Sequence, residues 1–186
     1  MNLKKLFLNH CKEQQYEINK NQLDINNYLK IYYTENFTQS FLTKFFKKKK
    51  NKLGFYLMGD VGVGKTMILN FFFNKLKEKK LRLHFNEFMI KFHDFTFNNK
   101  DKEKGIELFV KDLNQNADII YFDEFQVTNI VDAMILGRLF KRIFEENIKV
   151  IFSSNIRIND LYKDGLQRDQ FIPFINILKN NCYEKE

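Results

Sequence analysis

Gly59, Asp60, Val61, Gly62, Val63, Gly64, Lys65 and Thr66 form the run GDVGVGKT: a glycine, four residues, a glycine, a lysine and a threonine. Closely spaced glycines let a backbone turn tightly, so that several N–H groups point at one anion. A helix opening at the lysine would aim the positive end of its dipole at the same anion. The lysine would reach the β and γ phosphates of a nucleoside triphosphate, and the threonine hydroxyl would ligate Mg²⁺. The eight residues are therefore read as a phosphate-binding loop for ATP. A glycine-rich turn without a ligand is the plain alternative. The apolar run before the loop and the helical pattern after it argue against that alternative.

Two further positions complete such a site. Asp123 and Glu124 end the apolar run IIYFDEF. A strand-end aspartate can hold Mg²⁺, usually through water, and the glutamate beside it can polarise an attacking water as a general base. The competing reading is an ordinary acidic turn. Asn155 directly follows IKVIFSS, where a polar side chain at a strand tip can bond the attacking water or the γ-phosphate. A turn-forming asparagine is the alternative there. His10, His84 and His93 make no metal or triad pattern, and His84, inside an expected strand, is read as structural. No Ser–His–Asp or Cys–His nucleophile is visible.

The elements that must position these residues alternate. GFYLMG (54–59) reads as a buried strand, residues 65–80 as a helix, LRLHFNEF (81–88) as a strand and 103–115 as a helix. ADIIYFDEF (117–125) contains a buried strand. Asn129 would cap a helix running to about Glu146, with Asp132 near the capping-box position. Asn147 reads as its left-handed stop, and 148–154 as the next strand. Alternating strands and helices imply a parallel sheet covered on both faces. Residues 1–50 read as a polar helical segment with Tyr28, Leu29, Ile31, Tyr32, Phe41, Leu42, Phe45 and Phe46 as its apolar positions, and 51–186 as the core.

The chain has 186 residues, 44% hydrophobic and 29% charged, enough for one domain with a real core. The net charge of +8 permits a polyanionic partner. The densest cluster, Lys47–Lys50, reads instead as a solvated linker. Two cysteines, Cys11 and Cys182, make neither a disulfide framework nor a metal cluster and fit a reducing cytoplasm. No signal-peptide core or bilayer-length apolar run is present.

With these motifs in place, the sequence resembles the ZapE or AFG-one-like family of AAA+ ATPases. The resemblance rests on GFYLMGDVGVGKTMILNFFF, HFNEFM, DEFQVTNIVDAMIL, IFSSN and LYKDGLQRDQFIPFI, and covers about residues 54–182. Upstream it extends to Gln22 and Leu29, and the Gln22 region is the candidate neighbour of the adenine. The fold it implies is an α/β P-loop NTPase with a three-layer α/β/α core. It also implies ATP hydrolysis with Mg²⁺ coupled to a protein partner, an FtsZ-like division protein in the bacterial branch. Asp123 would support Mg²⁺ and Glu124 would activate water. Asn155 would be the residue called sensor one in AAA+ proteins. Arg168 would be an arginine finger reaching a neighbouring subunit in a ring or other homo-oligomer, with Arg138 and Arg142 as weaker rivals. Asn86 and Met58 depart from the family's usual His and Trp. Family members continue beyond the equivalent of Cys182, so the last core strand, beside the phosphate-loop strand, and a C-terminal region are expected to be missing.

Two other functions compete. One is a nucleotide-dependent binding module with little turnover. The other is a DNA-associated protein like the helicase loaders, which the charge allows and the DAMIL and GLQR strings oppose.

Overall fold

The computed structural model describes residues 2–38, 51–99, 101 and 104–186. Phe41, Leu42, Phe45, Phe46 and the Lys47–Lys50 run lie outside the described residues. Five strands form one sheet: β1 (Gly54–Met58), β2 (Lys80–His84), β3 (Ile119–Asp123), β4 (Lys149–Ser154) and β5 (Cys182–Lys185). Their order is β2-β3-β4-β1-β5, and every pairing is parallel. Parallel neighbours need long crossovers, and helices supply them.

All residues of β1 and β3 are buried, which is why these strands read as unbroken apolar runs rather than alternating ones. Successive side chains still take opposite faces. Tyr56, Ile120, Phe122, Val150 and Phe152 enter one core, shared with helices α4 (Phe85–Asn98), α5 (Gly105–Asn116), α6 (Ile130–Glu145) and α7 (Arg168–Asn181). Phe55, Leu57, Ile119, Tyr121 and Ile151 enter the other, with α1 (Leu3–Glu13), α2 (Lys20–Tyr33) and α3 (Lys65–Lys75). The three-layer α/β/α core is therefore as expected. The amino-terminal helices belong to the same apolar cluster as the helix after the phosphate loop. The buried Tyr32 hydroxyl donates to Leu53 O at 2.8 Å, tying α2 to the entrance of β1.

Four expectations are corrected. The helix expected over 65–80 stops at Lys75, and Lys80 already opens β2. The strand expected over 81–88 stops at His84, and Phe85 starts α4. Phe85, Phe88, Met89 and Phe92 are all buried, a helical spacing that overrides the strand-like composition. The last core strand, expected to be missing, is present as β5 and pairs with β1 from Gly54↔Cys182 to Leu57↔Lys185. Its four residues carry two charges, and such a short, charged segment gives no apolar run to recognise. Gly54 is what admits it, because a Cβ there would overlap Cys182 Sγ. Asp132 does not close a capping box. Asn129 alone caps α6 by accepting from Val131 N at 2.8 Å, and Asp132 instead meets His93 Nε2 of α4 at 2.7 Å.

Candidate nucleotide-binding site

The phosphate loop leaves the end of β1 and enters α3 through Gly64, whose φ of 89° is left-handed, as is the 84° of Gly62. An L side chain is strained at both positions. A Cβ on Gly64 would also crowd Gln22 Nε2 at 3.2 Å, so α2 sits directly against the loop. The Lys65 ammonium donates to Gly59 O and Asp60 O, each at 2.7 Å, and to Asn155 Oδ1 at 2.9 Å. Burial lowers the Lys65 pKa, while the nearby charges of Asp60 and Asp123 oppose that shift. Beside the loop, a cavity of about 340 Å³ is lined in part by Asn19, Gln22, Ile25, Met58, Gly64 and Ile68. Asn19 Oδ1 accepts from Gln22 N at 2.8 Å in a capping box that fixes this end of α2.

The carboxylate pair is set by the anchor at Phe125. Phe125 is buried, its N–H donates to Ser153 O at 2.7 Å, and its carbonyl accepts from Ser154 Oγ at 2.7 Å. Asp123 is the last residue of the β3 ladder. Glu124, caught between ladder and anchor, takes φ 53° and leaves its side chain 78% exposed. A non-glycine residue in that region carries backbone strain on the order of 1 kcal/mol. Asn155 is held in a similar way. Ser154 Oγ accepts from Ile156 N at 3.1 Å, and the Tyr56 hydroxyl donates to Ile156 O at 2.7 Å. Both flanks of Asn155 are thus pinned while its side chain reaches Lys65.

The residues overlooked in the sequence lie on β2. Arg82 Nη2 is 2.6 Å from Asp123 Oδ2, and the Tyr121 hydroxyl donates to Asp123 Oδ1 at 3.2 Å. His84, expected to be structural, is exposed and stands 3.7 Å from Glu124. Register explains both: Arg82 pairs with Tyr121 and His84 with Asp123. A usable signal was present. Lys80, Arg82 and His84 alternate along one strand, as Tyr121 and Asp123 do along its neighbour, so polar groups share one face.

Arg168 stands apart from this cluster. It opens α7, and its guanidinium donates to Leu161 O and Asn159 O, each at 2.7 Å. Arg142 pairs with Glu107, Glu145 and Glu146, and Arg138 is exposed on the same helix. Val61 is 84% exposed at the tip of the phosphate loop, and Asp60, Val63 and Thr66 are also exposed.

The donor set fits a hard divalent cation held jointly with phosphate. Thr66 brings a hydroxyl and Asp123 a carboxylate, both oxygen ligands suited to Mg²⁺. Among the described residues no group of three or more His, Cys, Asp or Glu is placed to hold a metal ion. Mg²⁺ commonly takes only one or two carboxylates and completes its shell with water and substrate phosphates. Among the described residues no helix is long and apolar enough to cross a membrane.

Comparison with known proteins bears on the family and the fold. The family model described as AFG1-like ATPase matches residues 7–183. The chain is 38% identical over 130 residues to cell division protein ZapE of Escherichia coli (strain K12), covering 69% of this chain and 35% of that protein. It therefore spans about a third of the length of this relative. AMPPCP-bound DnaA from Aquifex aeolicus superposes with a TM-score of 0.60 at 16% identity, over 93% of this chain and 49% of that one. The DnaC helicase loader gives a TM-score of 0.60 at 13% identity, over 91% of each chain. These two likenesses concern the fold.

Proposed function

The chain belongs to the AFG1-like ATPase family, and from that premise we propose that it binds ATP with Mg²⁺ and hydrolyses it to act on a protein partner. The observation that carries this reading is the convergence on Lys65. The lysine of the loop after β1 bonds Asn155 at the end of β4 and feels the charge of Asp123 at the end of β3. In parallel α/β sheets ligands bind at such carboxyl ends.

The roles follow from placement. The amides from Gly59 to Thr66 would wrap the phosphates, with Asp60, Val61 and Val63 contributing backbone. Lys65 would exchange the Gly59 and Asp60 carbonyls for phosphate oxygens, gaining charge-assisted bonds. Thr66 and Asp123 would hold Mg²⁺, which neutralises charge on the β and γ phosphates. Glu124 would take a proton from the attacking water, and its exposure leaves room for that water. Asn155, already on Lys65, would report the γ-phosphate to β4. The cavity against α2 would receive the adenine, next to Gln22 and Ile25.

Arg168 favours a second state of the same enzyme. Two of its donors bond carbonyls of its own loop, so a finger role would require a second copy to draw the side chain out. A lone chain would then bind nucleotide and turn it over slowly, and a ring or nucleotide-induced homo-oligomer would be the active form. The likeness to the E. coli cell division protein ZapE makes a cell-division protein, FtsZ-like by the sequence resemblance, the first partner to try. The deciding experiment is ATP turnover with and without Mg²⁺, compared with Glu124→Gln. Binding retained with turnover abolished supports the reading, whereas turnover that survives Glu124→Gln removes the assigned base.

A further inference from the structure

Asp123 is 5% exposed, and both of its oxygens have donors. The bond to Oδ2 is short and charge-assisted, from Arg82 at 2.6 Å. The bond to Oδ1 is longer, 3.2 Å, from the neutral Tyr121 phenol. Arg82 is itself held, with its guanidinium 5.2 Å from the Tyr121 ring centroid and its backbone in register beside Tyr121.

We propose that Arg82 is a positioning residue for magnesium: it fixes Asp123 through Oδ2, leaving Oδ1 as the oxygen that faces the ion or its water. The proposal rests on the nucleotide reading of the site. The terminal torsion of an aspartate is broad, so a carboxylate with one long neutral bond would swing. A planar, always-charged guanidinium gripping one oxygen removes that freedom. The weaker contact is the exchangeable one, since a water bound to Mg²⁺ can replace the phenol at Oδ1 without disturbing Oδ2. Partners of this kind, one step out from the metal, commonly set its affinity. The opposite possibility is that Arg82 is a rival cation standing at Asp123 until Mg²⁺ displaces it.

The two predict opposite shifts. Binding of a fluorescent ATP analogue to the full chain is measured first in EDTA and then as MgCl₂ is added, and the Mg²⁺ concentration at half-effect is read. Arg82→Ala should bind nucleotide in EDTA within about 3-fold of the unaltered protein and need about 10- to 100-fold more Mg²⁺. Arg82→Lys should fall between, and Tyr121→Phe should leave the midpoint within about 3-fold, as expected of an exchangeable contact. A midpoint unmoved in Arg82→Ala, or shifted to lower Mg²⁺, overturns the proposal. If Arg82→Ala does not fold, Arg82→Lys and Arg82→Gln carry the same readout, and unmoved midpoints in both overturn it equally. An unaltered chain that binds nucleotide neither with nor without Mg²⁺ removes the nucleotide reading, and this proposal with it.

Discussion

Lys65 Nζ and Asn155 Oδ1 are 2.9 Å apart, joining the phosphate loop after β1 to the tip of β4. The bond spends an asparagine oxygen on a buried ammonium that also has two carbonyl acceptors. On the proposed reading, phosphate would take over the lysine, and Asn155 would then be free to turn its amide toward the γ-phosphate or the water. Asn155→Ala should therefore lower turnover by roughly 10- to 100-fold, the worth of a hydrogen bond to a charged group. Nucleotide affinity should change only a few-fold. Steady-state kinetics together with direct binding would separate the two, and an equal loss in both would contradict the assignment.

Lys65→Ala attacks the same bond from the other side with a different outcome. It removes the cation proposed to pair with the phosphates, so affinity for ATP should fall by roughly 10- to 100-fold. Glu124→Gln should keep affinity and lose roughly 10²- to 10⁴-fold in turnover, the range of general-base catalysis. Titration with labelled nucleotide, then a phosphate-release assay, distinguishes these two defects. The site assignment is in error if Lys65→Ala binds ATP as the unaltered chain does.

What the sequence made legible divides along physical lines. The phosphate loop and the DEF strand end are local: glycines with required torsions and a carboxylate pair after an apolar run, so their elements lie close to expectation. Arg82 and His84 matter only through register. The alternation of Lys80, Arg82 and His84 marks a polar face, but nothing within LRLH says that β3 lies beside it, so the Arg82 grip on Asp123 was not readable. β5 failed for a different reason. An edge strand held by one neighbour needs few apolar residues, and CYEK supplies its stability through backbone bonds and through Gly54 making room. The Asp132–His93 link was hidden because a helix-start aspartate has a local explanation that tertiary contact displaced.

Gly54 and Cys182 give a stability test of that edge. A Cβ at Gly54 would overlap Cys182 Sγ, and the Cys182 side chain is buried between α7 and the sheet. Gly54→Ala should destabilise the chain by about 1–3 kcal/mol, as overpacking commonly does. In a protein of this size that lowers the melting temperature by roughly 2–4 °C per kcal/mol. Cys182→Ala in the same background removes the sulfur and should recover most of the loss, a non-additive pair. Additive losses in the double variant would mean that β5 does not seat on Gly54 in solution.

The alkaline limb of stability offers a test of how β5 is held to the amino-terminal helices. The Tyr183 hydroxyl donates to Glu35 Oε2 at 2.6 Å, and Glu35 lies in the π-helical turn Thr34–Thr38 that follows α2. Burial, then the bond to Glu35 and its charge, pushes the Tyr183 pKa up to about 12. An unfolded tyrosine titrates near pH 10, so between the two values the folded chain holds the proton more tightly. Stability from this pair is then fully present below about pH 10 and lost as pH rises through about 12. Tyr183→Phe should melt lower than the unaltered chain at pH 8, by the worth of one hydrogen bond, about 1 kcal/mol. The gap between the two melting temperatures should close across that alkaline window. Thermal melts of both chains from pH 8 to pH 12 measure it, and a gap that stays constant or widens with pH would place the proton, and so the bond, elsewhere.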